Sequence, residues 1–234
     1  MIFRQMFDSA SSTYTYLIAD EKTGHACLID PVLEKLSLYK QLLSDLTLTL
    51  IYALDTHIHA DHITALGELR DIYDCRTMVG SSDDISCASS GLKHGSDISI
   101  GDINIQVLFT PGHTSDSYCF YIPNQGNGYV FTGDTLLIRG TGRTDFQNGD
   151  AVRLFHSLHS ILMDLPDSTW VYPSHDYKGW TRSTIAEERQ HNPRINLPTE
   201  AAFVEHMNNL NLPNPKMMDI AVPANLACGK VPLK

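Results

Sequence analysis

The chain has 234 residues, 42% of them hydrophobic and 19% charged, with a formal net charge of −10 at pH 7. That is enough apolar material for one large domain or two small ones, and it is neither a disordered nor a collagen-like composition. So acidic a balance argues against a nucleic-acid surface, which needs a basic face, but a local arginine could still meet an anionic substrate.

In chain order, residues 14–19 and 26–30 read as two strands joined by a polar, glycine-bearing turn, and Pro31 ends the second. Leu33, Leu36, Tyr39, Leu42 and Leu43 recur at helical spacing, with a stop near Ser44 and Asp45. An apolar strand at 49–54 leads into Thr56-His57-Ile58-His59-Ala60-Asp61-His62. An amphipathic helix carrying Leu66, Leu69, Ile72 and Tyr73 leads out, with its start expected near Asp61. Residues 76–80 suit a short strand. Residues 81–96, rich in Ser, Gly and Asp, suit a loop with room for one short helix and a surface position for His94.

Ile98, Ile100, Ile103, Ile105, Val107 and Phe109 alternate around Gly101-Asp102, predicting a hairpin with one buried face. Residues 118–122 and 129–131 form a further strand pair. A helix is expected from Asp150, its N-cap, through Val152, Phe155, Leu158, Ile161 and Leu162. Residues 170–172 read as a strand, and 184–190 and 199–207 as helices. The prolines after Asn211 predict an extended tail. There is no internal repeat and no low-complexity linker. The expected class is α+β: two mixed sheets with helices outside both, in a single domain over 1–234 whose tail starts at about 180.

The five cysteines, Cys27, Cys75, Cys87, Cys119 and Cys228, are scattered and form no Cys-x-x-Cys pair. Reduced thiols are expected, not a disulfide framework or a thiolate zinc site. Residues 1–8 lack the basic start and apolar core of a secretory signal, and no apolar run is long enough to span a bilayer. No membrane partner is expected, and the cytoplasm is the expected compartment.

Three imidazoles and a carboxylate fall between His57 and His62, where a buried strand hands over to a loop. Histidine is the commonest protein metal ligand, carboxylate is a usual companion, and loops held at strand ends often carry chemistry. The pattern recurs. His113 follows a strand through Thr110-Pro111-Gly112, Asp134 through Thr132-Gly133, and His175 through Pro173-Ser174. Any one of these alone is best read as structural, but chance is a poor account of four. If the strands lie side by side, five histidines and two aspartates converge on one site. The residues alone do not divide these groups between one metal and two.

His57-x-His59-x-Asp61-His62, followed by His113, Asp134 and His175, resembles the metallo-β-lactamase superfamily. The resemblance implies an αββα sandwich with metal between the loop ends of two sheets. That scaffold hosts hydrolases, nucleases and oxygen-using enzymes, so it does not fix function. A narrower resemblance runs from Phe3-Arg4-Gln5-Met6-Phe7 to Ala221-Val222-Pro223-Ala224-Asn225. The segments 56–64, 132–140, Gly142-Arg143-Thr144-Asp145-Phe146, 172–177 and 209–213 are similar to those of the persulfide dioxygenases, or sulfur dioxygenases.

Membership would imply conversion of glutathione persulfide, with O₂ and water, to sulfite and glutathione at one Fe(II) per chain. The implied iron ligands are His57, His113 and Asp134, a facial triad with three positions open. His59, Asp61, His62 and His175 then orient ligands or bound water, or hold a second metal. Arg143 and Tyr177 are candidates for the glutathione carboxylates, with an Arg143–Asp145 salt bridge weighed against that role. Asp176 is expected to anchor the His175 loop, and Thr114 to be structural. A homodimer and a sulfurtransferase partner are further expectations. The rival readings are a glyoxalase II-type thioester hydrolase with two metals and a hydroxide, and a non-catalytic metal-binding redox sensor.

Overall fold

The structure, a computed structural model, describes residues 1–80, 87–124 and 126–230. The chain divides into two compact units, residues 1–92 with 98–104 and 214–234, and residues 93–97 with 105–213.

The first unit opens with β1 (Ile2–Asp8), β2 (Thr13–Ala19) and β3 (His25–Ile29). Then come α1 (Leu36–Asp45), β4 (Thr49–Leu54), α2 (Leu66–Tyr73), β5 (Arg76–Val79) and β6 (Ser90–Gly91). The six strands form one sheet in sequence order. β1, β2 and β3 pair antiparallel, and β3 to β6 pair parallel. β2 is buried at every position, which explains its unbroken Tyr-Thr-Tyr-Leu-Ile-Ala run. Leu17, Leu28, Leu50 and Ala53 of the sheet pack with Tyr39 and Leu43 of α1 and with Leu66 and Leu69 of α2. Each such large side chain stabilises the fold by roughly 1.5–3 kcal/mol. Parallel pairing of β3 with β4 brings Asp30 and the 55–65 loop to the same sheet edge.

Three expectations need correction here. First, α2 starts at Leu66 and not near Asp61. Thr64 bridges Val32, and Ala65 N–H donates to Pro31 O at 2.7 Å, so the residues before Leu66 are engaged outside the helix. Second, the tail is not extended throughout: α6 (Met218–Leu226) closes the unit, with Ala221, Ala224 and Asn225 buried despite Pro223. Proline removes one helical donor, and burial of this small-residue face offsets that loss. Third, Cys87 and Cys228, 141 residues apart, are disulfide-bonded. Sequence spacing could not reveal the pair, because only the fold brings the two residues together. Cys27, Cys75 and Cys119 are buried free thiols, as expected. Residues 81–86, within the segment expected to be a loop or short helix, lie outside the described residues.

The second sheet runs β12-β11-β10-β9-β8-β7, built from β7 (Asp97–Ile100), β8 (Ile103–Phe109), β9 (Tyr118–Ile122), β10 (Tyr129–Gly133), β11 (Trp170–Pro173) and β12 (Ser183–Thr184). Its helices are α3 (Ala151–Ser157), α4 (Ile185–His191) and α5 (Glu200–Asn208). Asp150 caps α3 as expected, accepting from Val152 N at 2.8 Å and Arg153 N at 3.0 Å. Cys119, Val130 and Val171 pack with Leu154, Leu158, Leu162, Ile185 and Phe203. Parallel β10 and β11 place Asp134 and His175 just past adjacent strand ends. Among the described residues no helix is long and apolar enough to cross a membrane.

Candidate metal centre

In the first unit His57, His59 and His62 are buried, with the backbone loop tied to Asp30. Asp30 sits at the end of β3 in the left-handed region, φ 51°, and is itself fully buried. Its carboxylate accepts from Thr56 N at 2.7 Å and from Thr56 Oγ1 at 3.0 Å. The Thr56 hydroxyl proton is thereby committed to Asp30. Thr56 Oγ1 can then only accept from His57 Nδ1, 3.0 Å away. This relay puts the His57 proton on Nδ1 and the lone pair on Nε2, the form a metal ligand requires.

His59 Nε2 lies 3.2 Å from Asp30 Oδ1. Burial disfavours the charged imidazolium, but Asp30, Asp55 and Asp61 outweigh it and raise the pKa to about 9. His62 Nδ1 lies 3.1 Å from Asp61 Oδ2, and Thr13 Oγ1 donates to the same carboxylate at 3.1 Å. The ligand atoms of His59, Asp61 and His62 fall within 4.8 Å of one another.

In the second unit His113 leaves β8 through a turn that only glycine permits. Gly112 has φ 141°, and a Cβ there would lie 2.3 Å from the Leu154 backbone. His113 Nδ1 donates to Arg143 O at 2.7 Å. A carbonyl can only accept, so the lone pair again sits on Nε2. Gly142 makes this contact possible, since a Cβ at 142 would meet Asp134 O at 2.4 Å and His113 Nδ1 at 2.6 Å. His175 Nδ1 lies 2.7 Å from Asp134 Oδ1. Asp134 Oδ2 lies 3.6 Å from His113 Nε2, placing a carboxylate oxygen opposite an imidazole lone pair. Two electron-rich atoms so placed are reconciled by a proton on Nε2 or by a metal cation. Two imidazoles and a carboxylate are the donor set of non-haem Fe(II) sites.

The remaining candidates fall as follows. Asp176 anchors its loop, with Oδ2 accepting from Lys178 N at 2.8 Å and Trp180 N at 2.7 Å. Thr114 is buried and bonded to Ser117, a structural position. Tyr177 is 73% exposed and stacks on His175 with ring centroids 6.1 Å apart. Arg143 forms the Asp145 ion pair weighed against its substrate role, with Nε at 2.5 Å and Nη2 at 2.6 Å. It also donates to Pro213 O at 2.6 Å and Leu212 O at 3.1 Å. The hydrogen bond to Asp145 raises the guanidinium pKa and lowers that of the carboxyl. Sequence reasoning did not single out Asp30, Thr56 or Asn225. Asp30 ends its strand just before Pro31, the one sequence signal that could have marked it.

The metallo-beta-lactamase superfamily model matches residues 9–175. The chain is 46% identical to the mitochondrial persulfide dioxygenase ETHE1 of Mus musculus over 98% of its length and 89% of that protein. The crystal structure of ETHE1 from Myxococcus xanthus matches with a TM-score of 0.93 at 54% identity, covering 98% of this chain and 100% of that one. A probable hydroxyacylglutathione hydrolase of Schizosaccharomyces pombe is more distant, 35% identical over 80% of this chain and 71% of that protein. The chain therefore belongs to the metallo-β-lactamase superfamily. Within that class it belongs to the persulfide dioxygenase family.

Proposed function

We infer that the chain is a persulfide dioxygenase, and we propose that it oxidises glutathione persulfide with O₂ and water to sulfite and glutathione. In this reading one Fe(II) per chain would be held by His57, His113 and Asp134. The observation that carries this reading is the commitment of both Nδ1 protons, to Thr56 Oγ1 and to Arg143 O. Imidazoles so fixed present the same nitrogen to a metal without rearrangement.

When bound, iron supplies the one-electron chemistry that O₂ demands. The chain's residues supply geometry and charge. The His175 contact to Asp134 Oδ1 orients that carboxylate so that Oδ2 is the oxygen offered to the metal. The Asp30–Thr56 pair fixes the His57 ring in the tautomer with its proton on Nδ1. Tyr177, exposed beside His175, offers a directional donor to a glutathione carboxylate. Arg143 anchors the 212–213 backbone and reaches substrate only by yielding some of these bonds.

Residues 1–234 are proposed to work as one catalytic domain. A sulfurtransferase-type reaction would supply the persulfide, and the cytoplasm and a homodimer are retained as proposals. Cell fractionation and light scattering check the last two.

The hydrolase reading draws on His59, Asp61 and His62, which would hold a second metal. Metal content separates the two readings. The dioxygenase takes up O₂ on addition of glutathione persulfide with one iron per chain. A hydrolase would cleave lactoylglutathione with two metals and no O₂ uptake.

A further inference from the structure

We propose that Asn225, on the C-terminal helix α6, is a positioning residue for the metal-binding loop. Asn225 is 2% exposed, and its three side-chain hydrogen bonds all go to that loop. Nδ2 donates to His59 O at 2.9 Å and to His62 O at 2.9 Å. Oδ1 accepts from Thr64 N at 2.9 Å. Both carbonyls can only accept and the backbone N–H can only donate, so the amide has one orientation that satisfies every partner. One side chain thus pins three backbone points across six residues of irregular loop, where no ladder or helix supplies these contacts. The preceding strand fixes where the loop begins. The Val32–Thr64 bridge and the bond from Leu33 N to Ile63 O fix where it ends, and Asn225 holds the stretch between, at His59 and His62, and adds a third contact at Thr64.

The clamp is itself held in place. Gly67 N donates to Cys228 O at 2.9 Å, and Cys228 is bonded to Cys87. At Gly229, with φ 79°, a Cβ would lie 1.9 Å from Thr64 O, so only glycine lets the tail pass this close. Lys230 pairs with Asp71 on the far side. A site works when its ligands are held to within about 0.5 Å by a rigid supporting shell, and this tail forms such a shell around the loop. The tail lies beyond residue 175, where the superfamily model ends.

The inference rests on the loop's use as a metal site. The test compares full-length wild type with Asn225→Ala, Asn225→Asp and Asn225→Ser, and with Ala221→Gly, a buried substitution on the same helix that leaves the amide intact. Fe(II) affinity is read by chelator competition, geometry by the EPR spectrum of the Fe(II)–nitrosyl adduct, and stability by thermal midpoint. Asn225→Ala and Asn225→Asp are expected to lose Fe(II) affinity by about 10–100-fold and to change the EPR line shape. Asn225→Ser, which keeps one donor, is expected to fall between them and wild type. Ala221→Gly is expected to lower the midpoint while keeping wild-type affinity and line shape.

Wild-type affinity and line shape in any Asn225 variant that folds would overturn the inference. So would an equal change in Ala221→Gly. If only Asn225→Ser folds, its affinity decides the matter. A wild-type chain that binds no metal would overturn the underlying reading, a result distinct from variants that bind as tightly as wild type.

Discussion

At the residue scale, the centre is defined as much by protons committed elsewhere as by the ligands. Thr56 is the sharpest case. Thr56→Val keeps the shape but removes both the acceptor for His57 Nδ1 and the donor to Asp30. Iron affinity is expected to fall about 10–100-fold, as for other groups that orient metal-bound histidines. Iron per chain after dialysis against a chelator checks this, and unchanged retention would show that His57 needs no such partner. Gly142→Ala drives a methyl group into Asp134 O and His113 Nδ1. It is expected to lower iron content and turnover together, and retention of both would show that His113 can move without cost. Asp134→Asn and His113→Ala are expected to abolish iron binding and turnover. The candidate ligand positions stand out in the sequence because His57, His113, Asp134 and His175 each come just after an apolar strand, and the structure places each of them past a strand end. Asp30 and Thr56 do not stand out, because an aspartate at a strand end and a threonine before a histidine are ordinary until the fold joins them. Arg143 was open between two partners in the sequence, a substrate carboxylate and its neighbour Asp145, and the structure shows the pair with Asp145.

At the element scale, nearest-neighbour chemistry sets some boundaries and distant partners set others. The alternating strands and the Asp150 cap follow from nearest-neighbour chemistry, and Asp150→Ala is expected to cost about 1 kcal/mol in denaturant unfolding. The late start of α2 depends on partners more than 30 residues away, Pro31 for Ala65 and Asn225 for Thr64. The Cys87–Cys228 bond belongs with these, since its two ends are 141 residues apart. A closure of that length restricts the unfolded chain by roughly 4–5 kcal/mol in the chain-entropy view. Reduction, or Cys87→Ser, is therefore expected to lower the unfolding midpoint by an amount a denaturant titration resolves easily. An identical midpoint with and without reductant would show that the bond adds nothing to stability.

At the scale of the whole molecule, an acidic chain leans on carboxylates with stabilising partners. Burial works against ionisation of Asp8, but hydrogen bonds from Ser11 and the Lys35 ammonium outweigh it and hold its pKa below the usual 3.8. The Arg143 hydrogen bond does the same for Asp145. Both groups bind their protons more weakly folded than unfolded. Their contribution to stability is thus complete above the ordinary carboxylate range and is lost as pH falls through the lowered folded values. Unfolding free energy is expected to be flat from these groups between pH 5 and 7 and to drop below about pH 4, which denaturant titrations across that range would show. A stability that rose on acidification would mean that these pairs do not form.

Fold and family were legible because motif segments are spread over nearly the entire chain, whereas the number of metals was not, since seven ligand-type residues suit one ion or two. The most direct measurement is aerobic against anaerobic turnover of glutathione persulfide, with iron quantified on the same sample. The account predicts sulfite formation only with O₂ present, in proportion to iron, at one iron per chain. Sulfite formed by iron-free protein, or thioester hydrolysis with two metals and no O₂ uptake, would contradict it.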